Sequence, residues 1–271
     1  MQYWFTHLSR SMYFIFLGLL QGIFEWLPMS SGGIVSTVHG ILSDVTLEQS
    51  VAFAIWLHIG TSFSILIVFR QRFFLMVKEI LSNPLQPSPT LSFLLIATVV
   101  GSIVGISLIT TLGRLSSMPG SSVMGVTGIL MLISGLSQTK RPLQGFRSKE
   151  DLKLKDSVIT GIIQGISVLP GISRSGMTMS LLLHRQFDKH EALLLNFLLT
   201  IPLSLIGALY VGITQEFLWS TEALLAAVSS CLVGIISIHA LIGLANKLNF
   251  ALITISLASL MISGAILDLI F

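Results

Sequence analysis

The chain has 271 residues, 53% of them hydrophobic and only 10% Asp, Glu, Lys or Arg. Soluble domains carry about 25% charged residues. With a mean hydropathy of +0.89, the composition excludes a soluble globular chain. It also excludes a disordered one, which needs high charge and low hydrophobicity. The net charge of +3 does not point to nucleic acid, because the basic residues fall in a few short loops, as the positive-inside rule produces. The one cysteine, Cys231, lies in an apolar run, so a disulfide framework or cysteine metal site is excluded. No removable signal peptide is visible in Met1–Arg10.

A spanning helix needs roughly 20 apolar residues to cross a core about 30 Å thick. In chain order, residues 12–40 are apolar but broken by Pro28 and the run Ser30-Ser31-Gly32-Gly33. Continuous runs follow at 51–70, 90–112 and 121–138, then a basic loop at 139–156. Residues 157–184 are broken again, by Pro170-Gly171 and Gly176, and runs at 190–212, 221–245 and 250–270 complete the chain. Proline ends a helix, and irregular backbone at membrane depth is tolerated only inside protein or against a wet cavity. The fold expected is therefore an all-α integral membrane protein, with six transmembrane helices and two re-entrant helix–turn–helix hairpins, as one polytopic domain over residues 1–271.

The hairpins resemble each other. Residues 18–33 read GLLQGIFEWLPMSSGG and 161–176 read GIIQGISVLPGISRSG. Each has a G-x-x-x-G spacing that lets helices approach closely, then Leu-Pro and a Ser/Gly turn. Three spans follow each hairpin, so the second copy (157–271) is expected to be inverted relative to the first (12–138). Binding sites in such repeats lie near the midplane at the broken helices. With the hairpins not crossing, twelve basic residues fall in loops 70–89, 139–156, 184–189 and 246–249, against Arg10 and Arg114 on the other side. That split places both termini outside the cytoplasm.

Ionisable residues within a membrane are costly and mark function. Glu25 lies one helical turn after Gln21, on the same face. Arg174 lies in the second hairpin turn, within Pro170-Gly171-Ile172-Ser173-Arg174-Ser175-Gly176-Met177-Thr178. A guanidinium fork matches phosphate oxygens, and a helix N-terminus adds backbone donors, so this run is an expected anion site. Ser30 and Ser31 are either helix caps or, beside a carboxylate, a candidate nucleophile. Glu25 is also a candidate ligand for a divalent cation that screens phosphate charge. A structural Glu25–Arg174 ion pair is the plainer alternative. His58, His39 and His239 read first as hydrogen-bonded helix residues, with proton carriage by His58 second.

Gln21-x-x-x-Glu25, Leu-Pro-x-Ser30-Ser31 and Pro170-Gly-x-Ser173-Arg174-Ser175-Gly-x-Thr178 together resemble the undecaprenyl-diphosphatase family, the bacitracin-resistance membrane pyrophosphatases. The resemblance covers nearly the whole chain, including Asn196–Pro202. It implies a cell-membrane enzyme that hydrolyses a polyprenyl diphosphate to the monophosphate and inorganic phosphate with a divalent cation, Mg²⁺ or Ca²⁺, and recycles the lipid carrier for glycan synthesis. It also allows a homodimer. By motif position it implies Glu25, Ser31 and Arg174 as catalytic residues, with Gln21, Ser30, Ser173, Ser175 and Thr178 at the diphosphate. The family's first motif often continues to a histidine, a proposed catalytic base, where this chain has Ile34. His39 or His58 is then the expected substitute, unless Glu25 acts alone. A flippase or transporter of a polyprenyl phosphate is the rival reading, because inverted repeats with broken helices are also transporter architecture.

Overall fold

The computed structural model describes residues 2–27, 29–43, 45–82, 86–112, 120–139, 145–244 and 250–270. The expected break at Pro28, and the loop residues Asp44, Arg114, Lys140, Arg141 and Lys247, lie outside them.

Every regular element among the described residues is helical. The first hairpin is α1 (Gln2–Phe24) and α2 (Ser31–Leu42), followed by α3 (Leu47–Val68), α4 (Arg70–Ser82), α5 (Pro89–Leu112) and α6 (Gly120–Thr139). The second hairpin is α7 (Leu154–Ile166) and α8 (Arg174–His184), followed by α9 (Lys189–Thr214), α10 (Thr221–Leu244) and α11 (Phe250–Ile270). Among the described residues, five helices are long and apolar enough to cross a membrane: Leu47–Val68, Pro89–Thr111, Lys189–Thr214, Thr221–Ala240 and Ala251–Asp268. They fall on five of the six continuous apolar runs. The remaining run, 121–138, lies on α6.

Helix starts follow local chemistry. Thr46 and Gln49 form a reciprocal capping box on α3, and the Asp188 carboxylate accepts from His190 and Glu191 N–H at the start of α9. Helices α2, α7 and α8 have 12, 13 and 11 residues. At 1.5 Å per residue they are about 17–20 Å long, short of the bilayer core.

Two elements depart from the sequence reading. The first hairpin was expected to begin at residue 12, but α1 starts at Gln2, so its first helix is about 34 Å long at the α-helical rise. The stretch 70–89, read as a basic loop, contains α4, which has no buried residue. Arg70, Arg72 and Lys78 share it with exposed Phe74, Leu75 and Leu81. A basic amphipathic surface helix of this kind suits a membrane interface, and its lack of a long apolar run hid it.

Helix contacts come in matched pairs. On α1, a Cβ at Gly18 would strike the Ala226 carbonyl of α10, and one at Gly22 would meet Ser230 O and Val233 Cβ. On α7, a Cβ at Gly161 would meet the Ala97 carbonyl of α5, and one at Gly165 would meet Gly101 O and Val104 Cβ. Each G-x-x-x-G face thus seats its helix on the backbone of a neighbour, α10 in one half and α5 in the other. Helix α3 packs on α9 and α6 on α11.

At the end of the second hairpin, Gly145–Lys153 folds back onto the C-terminus of α8. Arg147 N–H donates to Gln186 O at 2.8 Å and Asp188 N–H to Arg147 O at 2.8 Å. The Arg147 guanidinium lies 4.1 Å above the Phe187 ring. It also donates to Asp156 Oδ2 at 2.7 Å, while Arg185 Nε donates to Asp156 Oδ1 at 2.6 Å. Burial raises the Asp156 carboxyl, but the two arginines outweigh it and hold the carboxyl below its ordinary value.

Candidate functional site

Both hairpin turns are built by serine caps. Ser30 Oγ accepts from Gly33 N–H at 3.0 Å and caps α2. Ser173 Oγ accepts from Gly176 N–H at 3.1 Å and caps α8. The residue after each cap opens its helix, and the two openings carry complementary chemistry: Ser31 on α2 and Arg174 on α8.

The turns are also bonded to each other. Ser30 Oγ accepts from Gly171 N–H at 3.0 Å, and Ser175 Oγ donates to Leu27 O at 3.0 Å. Gly171 has φ +100°, a left-handed conformation that suits glycine. A Cβ there would also strike the Thr127 carbonyl of α6.

Glu25 is 4% exposed and is the hub of the site. Its Oε2 accepts from Gln21 Nε2 at 2.7 Å and from Ser31 Oγ at 2.7 Å. His58 Nε2 lies 3.2 Å from the same oxygen. Glu25 Oε1 pairs with Arg174 Nη2, and Arg174 Nη1 donates to Ser204 Oγ at 2.7 Å. A guanidinium has five N–H donors, so these two bonds leave donors for an anion. His58 Nδ1 lies 2.8 Å from the Ala54 carbonyl. That oxygen can only accept, so Nδ1 carries a proton. His58 Nε2 therefore faces Glu25 Oε2 with its ring orientation fixed from the other side, within reach for proton exchange.

Glu25, Ser30, Ser31, His58, Arg174, Ser175 and Ser204 line a cavity of about 110 Å³. A single water needs about 10–15 Å³ by this kind of measure, so there is room for a headgroup. The site thus brings together Gln21, Glu25, Ser30, Ser31, Arg174 and Ser175, all named from sequence. Ser173 and Thr178 do not line the cavity. Ser173 is occupied as a cap, and Thr178, fully buried, accepts from Gln164 Nε2 at 3.4 Å.

Three residues were underweighted or missed from sequence. His58 was read mainly as a packing histidine, yet it reaches Glu25. Ser204 on α9 holds Arg174. Gln164, the counterpart of Gln21 in the second hairpin, is 2% exposed and lines the cavity. Its sequence signal was the hairpin repeat itself. His39 is elsewhere: its Nδ1 lies 2.8 Å from Tyr13 Oη and its ring centroid 4.8 Å from that of Phe53. His239 is on an exposed face, bonded to Ile235 O. Ile34 packs with the Met29, Met131 and Ala258 cluster, so an apolar neighbour occupies the place of the motif histidine.

Among the described residues, no group of three or more His, Cys, Asp or Glu side chains is placed to hold a metal ion. One observation does suit a cation: Gln21 Oε1 is buried without a hydrogen-bond partner, beside Glu25. A hard ion such as Mg²⁺ takes few protein oxygens and fills its sphere with substrate phosphates and water. These residues therefore fit an ion that arrives with a phosphorylated substrate.

Comparison with known proteins shows the family. Residues 14–260 match the family model described as bacitracin resistance protein BacA. A protein of Methanococcoides burtonii named undecaprenyl-diphosphatase is 32% identical over 253 residues, covering 91% of this chain and 95% of its own length. Proteins of the same name from Methanopyrus kandleri (33% identical; 91% and 93% covered) and Saccharolobus solfataricus (32%; 94% and 95%) are similar to it over comparable lengths. With buried Glu25, Ser31 and Arg174 assembled from two hairpins and the match running through both, the chain belongs to the BacA family.

Proposed function

We propose that this protein is a membrane phosphatase that hydrolyses a polyprenyl diphosphate to the monophosphate and inorganic phosphate. The observation that carries the reading is the Ser31 Oγ–Glu25 Oε2 hydrogen bond of 2.7 Å beside Arg174. A hydroxyl on a buried carboxylate, next to an anion-binding guanidinium, is an activated nucleophile facing a phosphate site. The names of the relatives support the same substrate class.

The terminal phosphate lies between the openings of α2 and α8, whose N-terminal amides and positive ends favour an anion. Arg174 binds its oxygens, held in place by Ser204. Ser31 Oγ attacks the terminal phosphorus, and its proton passes to the Glu25–His58 pair. The bond from phosphorus to the bridging oxygen breaks, and the prenyl monophosphate leaves with that electron pair. Water then attacks the phosphoserine, releases inorganic phosphate and returns a proton to Ser31. Phosphoryl transfer asks mainly for positioning and charge stabilisation. If a divalent cation binds, Gln21 Oε1 and Glu25 would hold it, and it would neutralise phosphate charge.

The architecture we propose is six spans and two re-entrant hairpins in an inverted repeat, with both termini on the non-cytoplasmic side. The matched contacts of α1 with α10 and α7 with α5 support it. In a cell the reaction would recycle the carrier lipid for glycan synthesis and give resistance to bacitracin.

The test is phosphate release by detergent-purified protein given a polyprenyl diphosphate and Mg²⁺ or Ca²⁺. The parent releases phosphate, chelation of the metal stops it, and Arg174→Ala and Glu25→Gln each lower the rate by about 10²- to 10³-fold, as loss of a principal transition-state contact does. Lipid binding without phosphate release would sink the enzyme and favour a flippase, which would instead move labelled lipid across vesicles.

A further inference from the structure

The cavity has a second character away from Glu25. Ile106 and Ile109 of α5, Val168, and Leu203 and Ile206 of α9 continue the same wall. Ile206 is 38% exposed while it lines the cavity, and its helix neighbour one turn on, Leu209, is 59% exposed, so the apolar flank of the cavity reaches an accessible apolar face of α9.

The seam where this happens has a closed counterpart in the other half. Between α3 and α10, Ser230 Oγ donates to Leu57 O at 3.0 Å and Ser64 Oγ to Cys231 O at 2.8 Å. Gly60 faces Ser230 there, and Gly234 faces Ser64. Aligning Gly18 with Gly161 and carrying that spacing onward sets α3 against α9, and aligning Ala226 with Ala97 sets α10 against α5; Gly60–Ser230 then corresponds to Leu203–Gly101, and a Cβ on Gly101 would indeed lie 3.2 Å from Leu203 Cδ1. Gly234–Ser64 becomes Gly105–Gly207. There the filling side chain is missing from both helices, and both glycines line the cavity. The gap is not closed by polar pairing either: Gln164 Oε1, deeply buried at the cavity wall, and Ser102 Oγ have no hydrogen-bond partner.

We propose that this seam is the berth of the isoprenoid chain. The tail leaves the headgroup site between α5 and α9, passes over Gly105 and Gly207 and enters the bilayer beside Ile206. The proposal rests on the lipid-diphosphate reading above. An ion-lined end and an apolar flank in one cavity suit an amphiphile with a charged head and a hydrocarbon tail. The tail needs no polar partner and gains by leaving water.

Gly207→Leu tests it. A Cβ at 207 would lie an ordinary 3.4 Å from Ile55 Cγ2 and meet no backbone, and the position lines the cavity, so a side chain added there is directed at the groove. Filling a hydrophobic subsite costs roughly 10- to 200-fold per mismatched group. The KM for a long polyprenyl diphosphate is therefore expected to rise at least about tenfold while hydrolysis of a five-carbon prenyl diphosphate changes less than about twofold. Equal loss on the two substrates, or none on either, would overturn the groove. A second arm uses the unaltered protein: a polyprenyl diphosphate carrying a diazirine in its tail is photolysed in detergent micelles and the labelled peptides are sequenced. Label on α5 and α9 is expected. Label absent from them, or on α3 and α10 instead, overturns the proposal. Label on α5 and α9 without phosphate release would keep the groove and reject the phosphatase.

Discussion

Glu25 gathers two groups of its own hairpin and two distant groups onto one carboxylate. Gln21 and Ser31 come from its own hairpin, and were legible because helical spacing and a serine turn are local signals. Arg174 was legible because a lone arginine in an apolar hairpin is costly and conspicuous. His58 and Ser204 were not, since their contacts with Glu25 and Arg174 are made by α3 and α9 folding over the hairpins, and no spacing in the chain reports that. His58 lies 3.2 Å from the Glu25 oxygen that accepts from Ser31, where the proposed mechanism sends the proton, which leads to a test of its role. His58→Gln keeps a donor toward Glu25 but cannot carry the proton. It is expected to lower kcat about 10²-fold, the lower end of general acid–base contributions, with little change in KM. It should also remove one limb of the pH–rate profile. A pH profile that keeps both limbs would reduce His58 to a structural partner.

At the scale of elements, the broken apolar runs foretold the short helices, and Ser30 and Ser173 begin α2 and α8 as capping chemistry asks. Helix α4 escaped notice because composition averages away an amphipathic surface helix of 13 residues. The anchoring of α7 and α8 was equally hidden, because Arg147, Asp156 and Arg185 are far apart in sequence. Asp156 has no exposed side-chain area, and removing one partner of a buried ion pair costs about 3–5 kcal/mol. Asp156→Ala is therefore expected to lower thermal stability markedly in detergent. The arginines hold its carboxyl below the ordinary 3.8. Its stabilising contribution is complete above that value and is lost as the pH falls through the depressed one. The difference in melting temperature between parent and Asp156→Ala should shrink on acidification below about pH 4. A constant difference would show that packing, not charge, makes the clamp.

For the whole molecule, the hydropathy pattern and the echo between residues 18–33 and 161–176 were enough to suggest a duplicated helical membrane protein. What they did not reveal was where the halves differ. A serine meets a glycine in one seam, whereas the two corresponding positions in its counterpart, Gly105 and Gly207, are both glycines lining the cavity, and such differences become meaningful only when positions are compared pair by pair. The two halves are also unequal in chemistry: Ser31 and Glu25 come from the first, Arg174 and Ser204 from the second.

The bond from Gly171 N–H to Ser30 Oγ has a consequence for how the protein comes into being. One serine oxygen caps α2 and also receives the second hairpin, so the nucleophile's turn is completed by residues made about 140 positions later. A chain emerging from the ribosome into the membrane carries the Ser31–Glu25 pair without Arg174, its proposed phosphate clamp, until the second hairpin has been inserted. On the proposed mechanism a half-made chain would therefore not hydrolyse lipid. Cutting the gene within 140–144 and expressing the two pieces should give inactive fragments that regain phosphate release when made together. Activity from the first fragment alone would show that the second hairpin is dispensable. On that reading the site is a property of the finished chain, and translation itself would act as its safety catch.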